Sequence, residues 1–249
     1  MRLLPIITFL LIFISCKEEN KPLTAQQIID KTIENAGGNN YESATINFTF
    51  RKTKYSSKRK NGLFEYSRTY TDSIGEVNDV LNNNEFTRFI NAQKIDLPDS
   101  IATKYANSVN SVLYFVQLPY GLNAPAVKKE LVGEAEIEGE KYYEIQVTFG
   151  ENGGGVDHED IYMYWINQRN FTVDYFAYKF YTGEGGIRFR KAHNPRTVSG
   201  LRFVDYKNYK VEPWESVDLK TVDELLKAGK LELLSEIKTE DVSVILNGN

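Results

Sequence analysis

The alternation of apolar and polar residues along the chain predicts mostly β-strands. In TINFTFRK, Phe48 and Phe50 alternate with polar residues, which is the two-residue period of a strand with one buried face. GLFEYSRTY repeats this period with Phe64 and Tyr66. The Asn-Gly pair between the two runs is a typical signal of a tight hairpin turn. The basic run RKTKYSSKRK, residues 51–60, is predicted to be a solvated hairpin end, with contact to a phosphate or lipid headgroup as the alternative.

More strand-like runs follow, and most are separated by Gly-rich or Asn-rich turns. They lie at about 74–81, 85–91, 127–137, 140–149, 160–166, 171–181, 186–192 and 200–212, with one or two more within 231–245.

Three segments have the helical period instead. The first begins at Thr24, where Gln27 would complete a capping box, and ends at a pair of glycines. The second covers residues 99–117 and is more apolar than a surface helix requires. In the third, Thr221 and Glu224 are predicted to form another capping box.

The order of these elements predicts a mainly β protein of the α+β class. Strands do not alternate with helices, so a parallel sheet or a TIM barrel is disfavoured. An antiparallel sheet of about ten strands curls instead of staying flat. We therefore expect a curved, incomplete antiparallel barrel wrapped over two or three helices. Residues 24–249 would form one ligand-binding domain.

The N-terminus predicts export and lipid attachment. Arg2 precedes a largely apolar stretch of 12 residues, Leu3 to Ile14, whereas a membrane-spanning helix needs roughly 20. Residues 1–15 would be a signal peptide, and Ser15 before Cys16 resembles a bacterial lipobox, in which the cysteine thiol carries a diacylglycerol. Residues 16–23 would be the lipidated tether to the membrane. The alternative is an ordinary secreted protein with an incidental cysteine.

The residues after the cysteine predict a location. Lys17, Glu18 and Glu19 resemble the export signal of Bacteroidota lipoproteins that reach the cell surface. We expect an outer-membrane protein on the cell surface, with the periplasmic face of that membrane as the alternative.

Composition and charge exclude several classes of function. The net charge of −4 disfavours a nucleic-acid partner, which would need a basic field. A single cysteine excludes an internal disulfide, and two histidines exclude a multi-histidine zinc site within one chain. The sequence implies no cofactor.

The element order and the capped first helix leading into aromatic strands resemble the lipoprotein carrier and receptor proteins LolA and LolB. That resemblance covers residues 24–245 and implies an open barrel with an apolar cavity for acyl chains. The segments YMYWINQRNFTVDYFAYKFY and GIRFRKAHNPRTVSGLRFVDYKNY look like an uncharacterised family of Bacteroidota lipoproteins. Some relatives carry the label deoxyribose-phosphate aldolase, but that enzyme is a TIM barrel with a Schiff-base lysine, and this sequence has no barrel pattern.

The candidate ligand-binding residues are mainly aromatic. They would line a cavity if the interior is open and fill the core if it is packed. Arg188 and Arg190 share one face of a strand and are candidates for binding a carboxylate or a lipid phosphate. The aromatic candidates are Phe48, Phe50, Phe64, Tyr66, Tyr162, Tyr164, Tyr175 and Phe176.

The segment ENGGGVDHEDIY offers weak metal ligands at Asp157, His158 and Asp160. A glycine-rich turn explains the same composition, and hydrolysis by these acids is a third, weaker hypothesis. No catalytic residue is assigned.

Two binding functions remain. The first is a membrane-anchored protein that holds a lipid or acyl chain in the concave side of its sheet. The alternative is a non-enzymatic surface lipoprotein that binds glycan or protein through exposed aromatic residues such as Trp165 and Trp214.

Overall fold

In a computed structural model of the chain, which describes residues 21–150 and 159–247, two antiparallel sheets enclose most of the core. The helices are α1 (Ala25–Ala36), α2 (Asp99–Val116) and α3 (Val222–Lys227). The first sheet has the order β14-β1-β2-β3-β4-β5-β6, and the second has the order β13-β12-β11-β10-β9-β8-β7. The strands are β1 (Ala44–Phe50), β2 (Thr53–Lys60), β3 (Leu63–Asp72), β4 (Gly75–Asn82), β5 (Phe86–Ile90), β6 (Gln93–Ile95), β7 (Val127–Ile137), β8 (Glu140–Phe149), β9 (Ile161–Asn167), β10 (Val173–Phe180), β11 (Gly186–Val198), β12 (Leu201–Val211), β13 (Glu232–Ile237) and β14 (Glu240–Leu246).

The predicted fold class is confirmed, since the protein is mainly antiparallel β, curved and not closed. The expected number of strands was wrong. The described residues contain fourteen strands in two sheets of seven, where one sheet of about ten was expected. A sheet this wide accumulates too much twist to stay continuous. The break falls at the C-terminus, where β13 pairs with β12 of the second sheet and β14 pairs with β1 of the first.

Of the two predicted capping boxes, the one at α1 is present and the one at α3 is not. At α1 the predicted capping box is present, with the Gln27 N–H donating to the Thr24 hydroxyl and the Thr24 N–H donating to Gln27 Oε1 at 2.9 Å. At α3 the predicted box is wrong. The Thr221 hydroxyl donates backwards to the Asp218 carbonyl oxygen at 2.9 Å, so it does not cap the helix.

The basic run was also assigned wrongly. Most of it is strand β2, and the side chains of Tyr55 and Ser57 are buried on one face of that strand. Only Arg51 and Lys52 form a turn, with φ values of 49° and 66°. Charged residues had hidden a normal two-residue alternation. The Asn-Gly turn that follows β2 is present as predicted.

Helix α2 separates the two sheets. Val109 and Leu113 pack into the core of the first sheet with Ile46 and Phe48, whereas Tyr114 and Phe115 pack against the second sheet. Helix α1 covers the same side of the second sheet through Ile28 and Ile29. We call the faces that contact α1 and α2 the inner faces. In the described part of the chain, no helix is both long and apolar enough to cross a membrane.

The second sheet is buried on both faces. Its outer face carries Trp165 and Phe189, which pack under Leu219 and Val222 at the start of α3. Helix α3 is therefore on the convex side, and of the helices in the described residues α1 and α2 occupy the concave side. The sequence predicted two or three helices on that side, and the described residues contain two there.

The first sheet buries an ion-pair network on its inner face. Asp79, which is fully buried, accepts hydrogen bonds from Arg68 Nε at 2.7 Å and from Arg88 Nε at 2.6 Å. The ring of Tyr105 on α2 covers the Arg88 guanidinium at 3.4 Å. The hydrogen bond to Asp79 is the main reason that the pKa of Arg88 is raised. The network holds α2 over three neighbouring strands, because Arg68 also donates to Ser108 at 2.7 Å.

We predict that Asp79→Asn lowers the free energy of unfolding by about 3–5 kcal/mol, because it leaves two arginines under α2 without their counterion. Urea denaturation followed by circular dichroism measures the change. Glu65→Gln is the matched control, since its pair with Lys58 is exposed and contributes at most about 1 kcal/mol. Equal midpoints for the two variants would show that the buried network does not stabilise the fold.

Candidate functional site

The aromatic candidates in the first sheet lie together. Phe48 and Phe50 in β1 share the inner face with Phe64 and Tyr66 in β3, in contact with α2. Phe48 and Tyr66 are buried, whereas Phe50 and Phe64 are partly exposed. All four side chains belong to the hydrophobic cluster that α2 covers, so the structure places them mainly in the core.

In the second sheet the structure separates one candidate from the others. Tyr162, Tyr164 and Phe176 share the inner face, where the Phe115 ring stacks on Phe176 at a centroid distance of 5.6 Å. Tyr175 lies on the outer face in the cluster under α3, so its grouping with the other candidates was wrong. The register explains this, because Tyr175 pairs with Trp165 while Phe176 pairs with Tyr164.

A cavity of about 350 Å³ opens between the two sheets beside the C-terminal end of α2. We call it the interior cleft. Its walls include Tyr66, Tyr114, Tyr120, Val127 and Phe149. The volume lies at the lower end of the range of about 300–1,000 Å³ that is usual for small-molecule sites, and a mostly apolar wall with a few polar groups is also usual.

Arg59 supplies the charge in this cleft. Its guanidinium lies 4.5 Å from the ring centroid of Tyr120 and donates to Gln117 and to the hydroxyl of Tyr66. None of the ion pairs in the described part of the chain includes Arg59. Sequence reasoning missed this residue because it lay in the run assigned to a turn. The alternation of Tyr55, Ser57 and Arg59 was the available signal.

The buried hydroxyls of Tyr114 and Tyr164 lie beside the cleft and interact with each other, and neither has another hydrogen-bond partner among the described residues. Burial raises the pKa of Tyr114 to about 12 and that of Tyr164 well above its usual value, so both phenols are neutral. Gly121 allows Tyr114 to lie this close, since a Cβ there would be 2.7 Å from its ring. A ligand oxygen or water reaching these hydroxyls would satisfy them.

The arginine candidates, Arg188 and Arg190, lie on the inner face of the second sheet as their spacing predicted. Arg190 pairs in register with Phe176, and Arg188 pairs with Tyr178. The Arg190 residue is only 8% exposed, and its guanidinium lies 4.3 Å from the ring centroid of Phe115. We call these two residues the arginine pair.

Three other predictions concern residues that lie partly or wholly outside the described part of the chain. Asp160 is buried, while its proposed companions Asp157 and His158 lie outside the described residues. In residues 21–150 and 159–247, no group of three or more potential metal ligands is found. Cys16 and the signal Lys17, Glu18 and Glu19 also lie outside the described residues.

The two tryptophans differ in accessibility. Trp165 is fully buried and donates to Glu144 at 3.1 Å, so it is not an exposed platform for a sugar. Trp214 is partly exposed and lies 6.5 Å from the ring of Tyr181, which is exposed.

These features define a two-sheet antiparallel half-barrel with an interior cleft and arginines on its inner faces. The sequence matches the family described as "family of unknown function (DUF6503)" over residues 4–239, so the chain belongs to that family. A comparison with curated proteins gave no match.

Several solved structures share parts of the architecture at low identity. A LolA superfamily protein from Nitrosomonas europaea is 16% identical, covers 90% of this chain and 92% of its own, and has a TM-score of 0.47. A DUF1329 family protein from Desulfovibrio piger is 11% identical over 90% of this chain and 95% of its own, with a TM-score of 0.43. A putative outer membrane lipoprotein-sorting protein domain from Vibrio parahaemolyticus is 7% identical over 81% and 97%, with a TM-score of 0.37.

We predict that Tyr114→Phe leaves the stability unchanged or raises it slightly, because the buried hydroxyl that it removes has no partner in the described part of the chain apart from its contact with the Tyr164 hydroxyl. Tyr41→Phe is the comparison, since the buried Tyr41 hydroxyl donates to the Arg202 carbonyl oxygen at 3.3 Å and its loss should cost about 0.5–1.5 kcal/mol. Thermal unfolding of both variants measures the difference. A larger loss for Tyr114→Phe would mean that its hydroxyl is already bonded in the folded protein.

Proposed function

We propose that this protein binds an apolar ligand, a lipid or an acyl chain, in the interior cleft on the concave side of its sheets, and that it does so without catalysing a reaction. The observation that carries the proposal is the cleft itself. Its wall is largely aromatic and aliphatic, and it lies where α2 leaves the two sheets apart.

The packing around the cleft supports binding of a chain-shaped ligand. Phe149 on one wall contacts Tyr162, which lies beside Phe115 at a centroid distance of 6.5 Å. The apolar packing of the cleft wall therefore continues along the inner face of the second sheet, where these side chains are largely buried. Each methylene buried on such a surface contributes about 0.8 kcal/mol, which favours a long hydrocarbon ligand.

The proposal includes attachment to a membrane. Residues 1–15 would be removed as a signal peptide, and Cys16 would carry the acyl chains that hold residues 24–249 at the membrane. Lys17, Glu18 and Glu19 favour the outer surface of the outer membrane, with its periplasmic face as the alternative. A protein held there would lie next to membrane lipids.

A second candidate function is recognition of a glycan or a protein at the surface. The exposed ring of Tyr181 and the partly exposed Trp214 favour it, and Lys179 lies 5.3 Å from the Trp214 ring. Only two aromatic rings carry this candidate among the described residues, whereas the cleft is a formed cavity, so we give it second place.

Native mass spectrometry of residues 17–249 purified from the host tests the first function. We expect a co-purifying lipid, and we expect Ala126→Phe to remove it, because the larger side chain would fill the wall of the cleft beside Val127. Ala228→Phe, at the exposed end of α3, should retain the lipid. A protein that is empty in every preparation would favour the surface site instead.

Metabolic labelling tests the anchor. Cells that express the full chain should incorporate radiolabelled palmitate into it, and Cys16→Ser should abolish the label and release the protein from the membrane fraction. Labelling that persists in the Cys16→Ser variant would refute lipid attachment at this residue.

A further inference from the structure

Arg190 is buried, and no carboxylate among the described residues forms an ion pair with it. Within the same residues, its Nε–H has no hydrogen-bond partner. One hydrogen bond remains, from Nη2 to the hydroxyl of Tyr178 at 3.1 Å. Arg68 and Arg88, which are also largely buried, are instead neutralised by Asp79.

This arrangement costs folding free energy. Removing a guanidinium from water is costly unless a nearby opposite charge and full hydrogen bonding compensate for it. The rings of Phe115, Phe176 and Tyr178 surround the Arg190 guanidinium at 4.3, 5.3 and 5.3 Å. Cation–π contacts contribute about 2 kcal/mol when desolvated, and they leave the Nε–H unsatisfied. A fold that needed only packing at this position would be served better by an apolar side chain.

The surroundings of Arg190 are suited to an anion. Arg188 lies two residues away on the same face and is also absent from the ion pairs of the described residues; its guanidinium packs on Phe180 at 5.2 Å. Gly186 makes room for this packing, because a Cβ there would be 2.9 Å from the Phe180 ring. Two cations without a carboxylate partner among the described residues thus lie together on the inner face.

We propose that the arginine pair binds the anionic group of the ligand, a phosphate or a carboxylate, while the apolar part of the ligand lies along the inner face towards the interior cleft. The planar guanidinium of Arg190 is suited to two oxygens of one such group, and Arg188 would supply the second positive charge. The proposal rests on the function proposed above and specifies its ligand as an anionic amphiphile.

A matched pair of probes separates the two proposals. Tetradecanoate and tetradecanol have the same chain length, and only the first carries a carboxylate. Equilibrium dialysis of each radiolabelled probe, and of radiolabelled inorganic phosphate, is performed on the full chain held in phosphatidylcholine nanodiscs, with empty nanodiscs as background. The variants are Arg190→Gln and Arg190→Lys, and the control is Arg169→Gln, which removes an exposed arginine paired with Glu140.

We expect the native protein and the control to bind tetradecanoate at least about tenfold more tightly than tetradecanol, because a hydrogen bond to a charged group contributes about 1.5–3 kcal/mol. Arg190→Gln should remove this preference and leave the affinity for tetradecanol unchanged. Arg190→Lys should restore part of it, since the charge is kept and the fork is lost.

Other outcomes overturn one proposal or the other. Equal binding of the two chain probes, or an equal loss of both in Arg190→Gln, would refute the anion site and leave the proposed function standing. Binding of phosphate alone, abolished by Arg190→Gln, would assign the arginine pair to free phosphate and refute the apolar ligand. No binding of any probe would refute both.

The unfolding temperature of Arg190→Gln provides a second test, because a binding role and a structural role for Arg190 predict opposite changes in it. Without ligand, Arg190→Gln should have an unfolding temperature equal to or higher than that of the native protein, because it removes an unpaired buried charge. A fall in the unfolding temperature comparable to that of Asp79→Asn would show that Arg190 stabilises the fold and is not a ligand site.

Discussion

Insertion of α2 between the two sheets is the interaction on which the rest of the structure depends. The sheets share no continuous hydrogen-bonded strand ladder, and the helix packed between them contacts the inner faces of both. Val109 and Leu113 pack against the inner face of the first sheet, while Tyr114 and Phe115 pack against that of the second. A helix is cylindrical and cannot fill the whole space between two twisted sheets, and the interior cleft remains beside its C-terminal end. The candidate binding site is thus a consequence of how the core is assembled.

The arginines on the inner faces have two kinds of surroundings. In the first sheet, Asp79 neutralises Arg68 and Arg88, and the resulting network fixes α2 over the strands. Arg190 and Arg59 instead meet aromatic rings and neutral hydrogen-bond acceptors, and no ion pair of the described residues includes either of them. The two arrangements use the same chemical group at similar depth. The difference is therefore informative, because an unpaired interior arginine weakens the fold and retains its capacity to bind an anion.

Much of the fold was accessible from local patterns. The strands from Val127 to Val211 and the helices α1 and α2 follow the apolar period closely, and turns such as Asn61-Gly62 carry their own signal. The failures have identifiable causes. Strand β2 was missed because lysines occupy its exposed face and Arg59 follows Tyr55 and Ser57 on the other face. Tyr175 was misplaced because adjacent residues of a strand point to opposite faces, so Tyr175 and Phe176 cannot share the inner face. Which of the two faces lies against α2 depends on tertiary packing, so the sequence of one strand does not contain it.

The sequence by itself determined most of the element types, the antiparallel class and the shared face of Arg188 and Arg190, because each follows from a repeat of two or 3.6 residues within one segment. The tertiary structure alone decided that the sheet divides in two, that α3 covers the convex side and that Trp165 is buried. It also decided which arginines have a carboxylate within reach. Asp79 compensates the charges of Arg68 and Arg88, which lie on the neighbouring strands. Such compensation between separate segments depends on strand pairing and helix packing, which the local sequence does not specify.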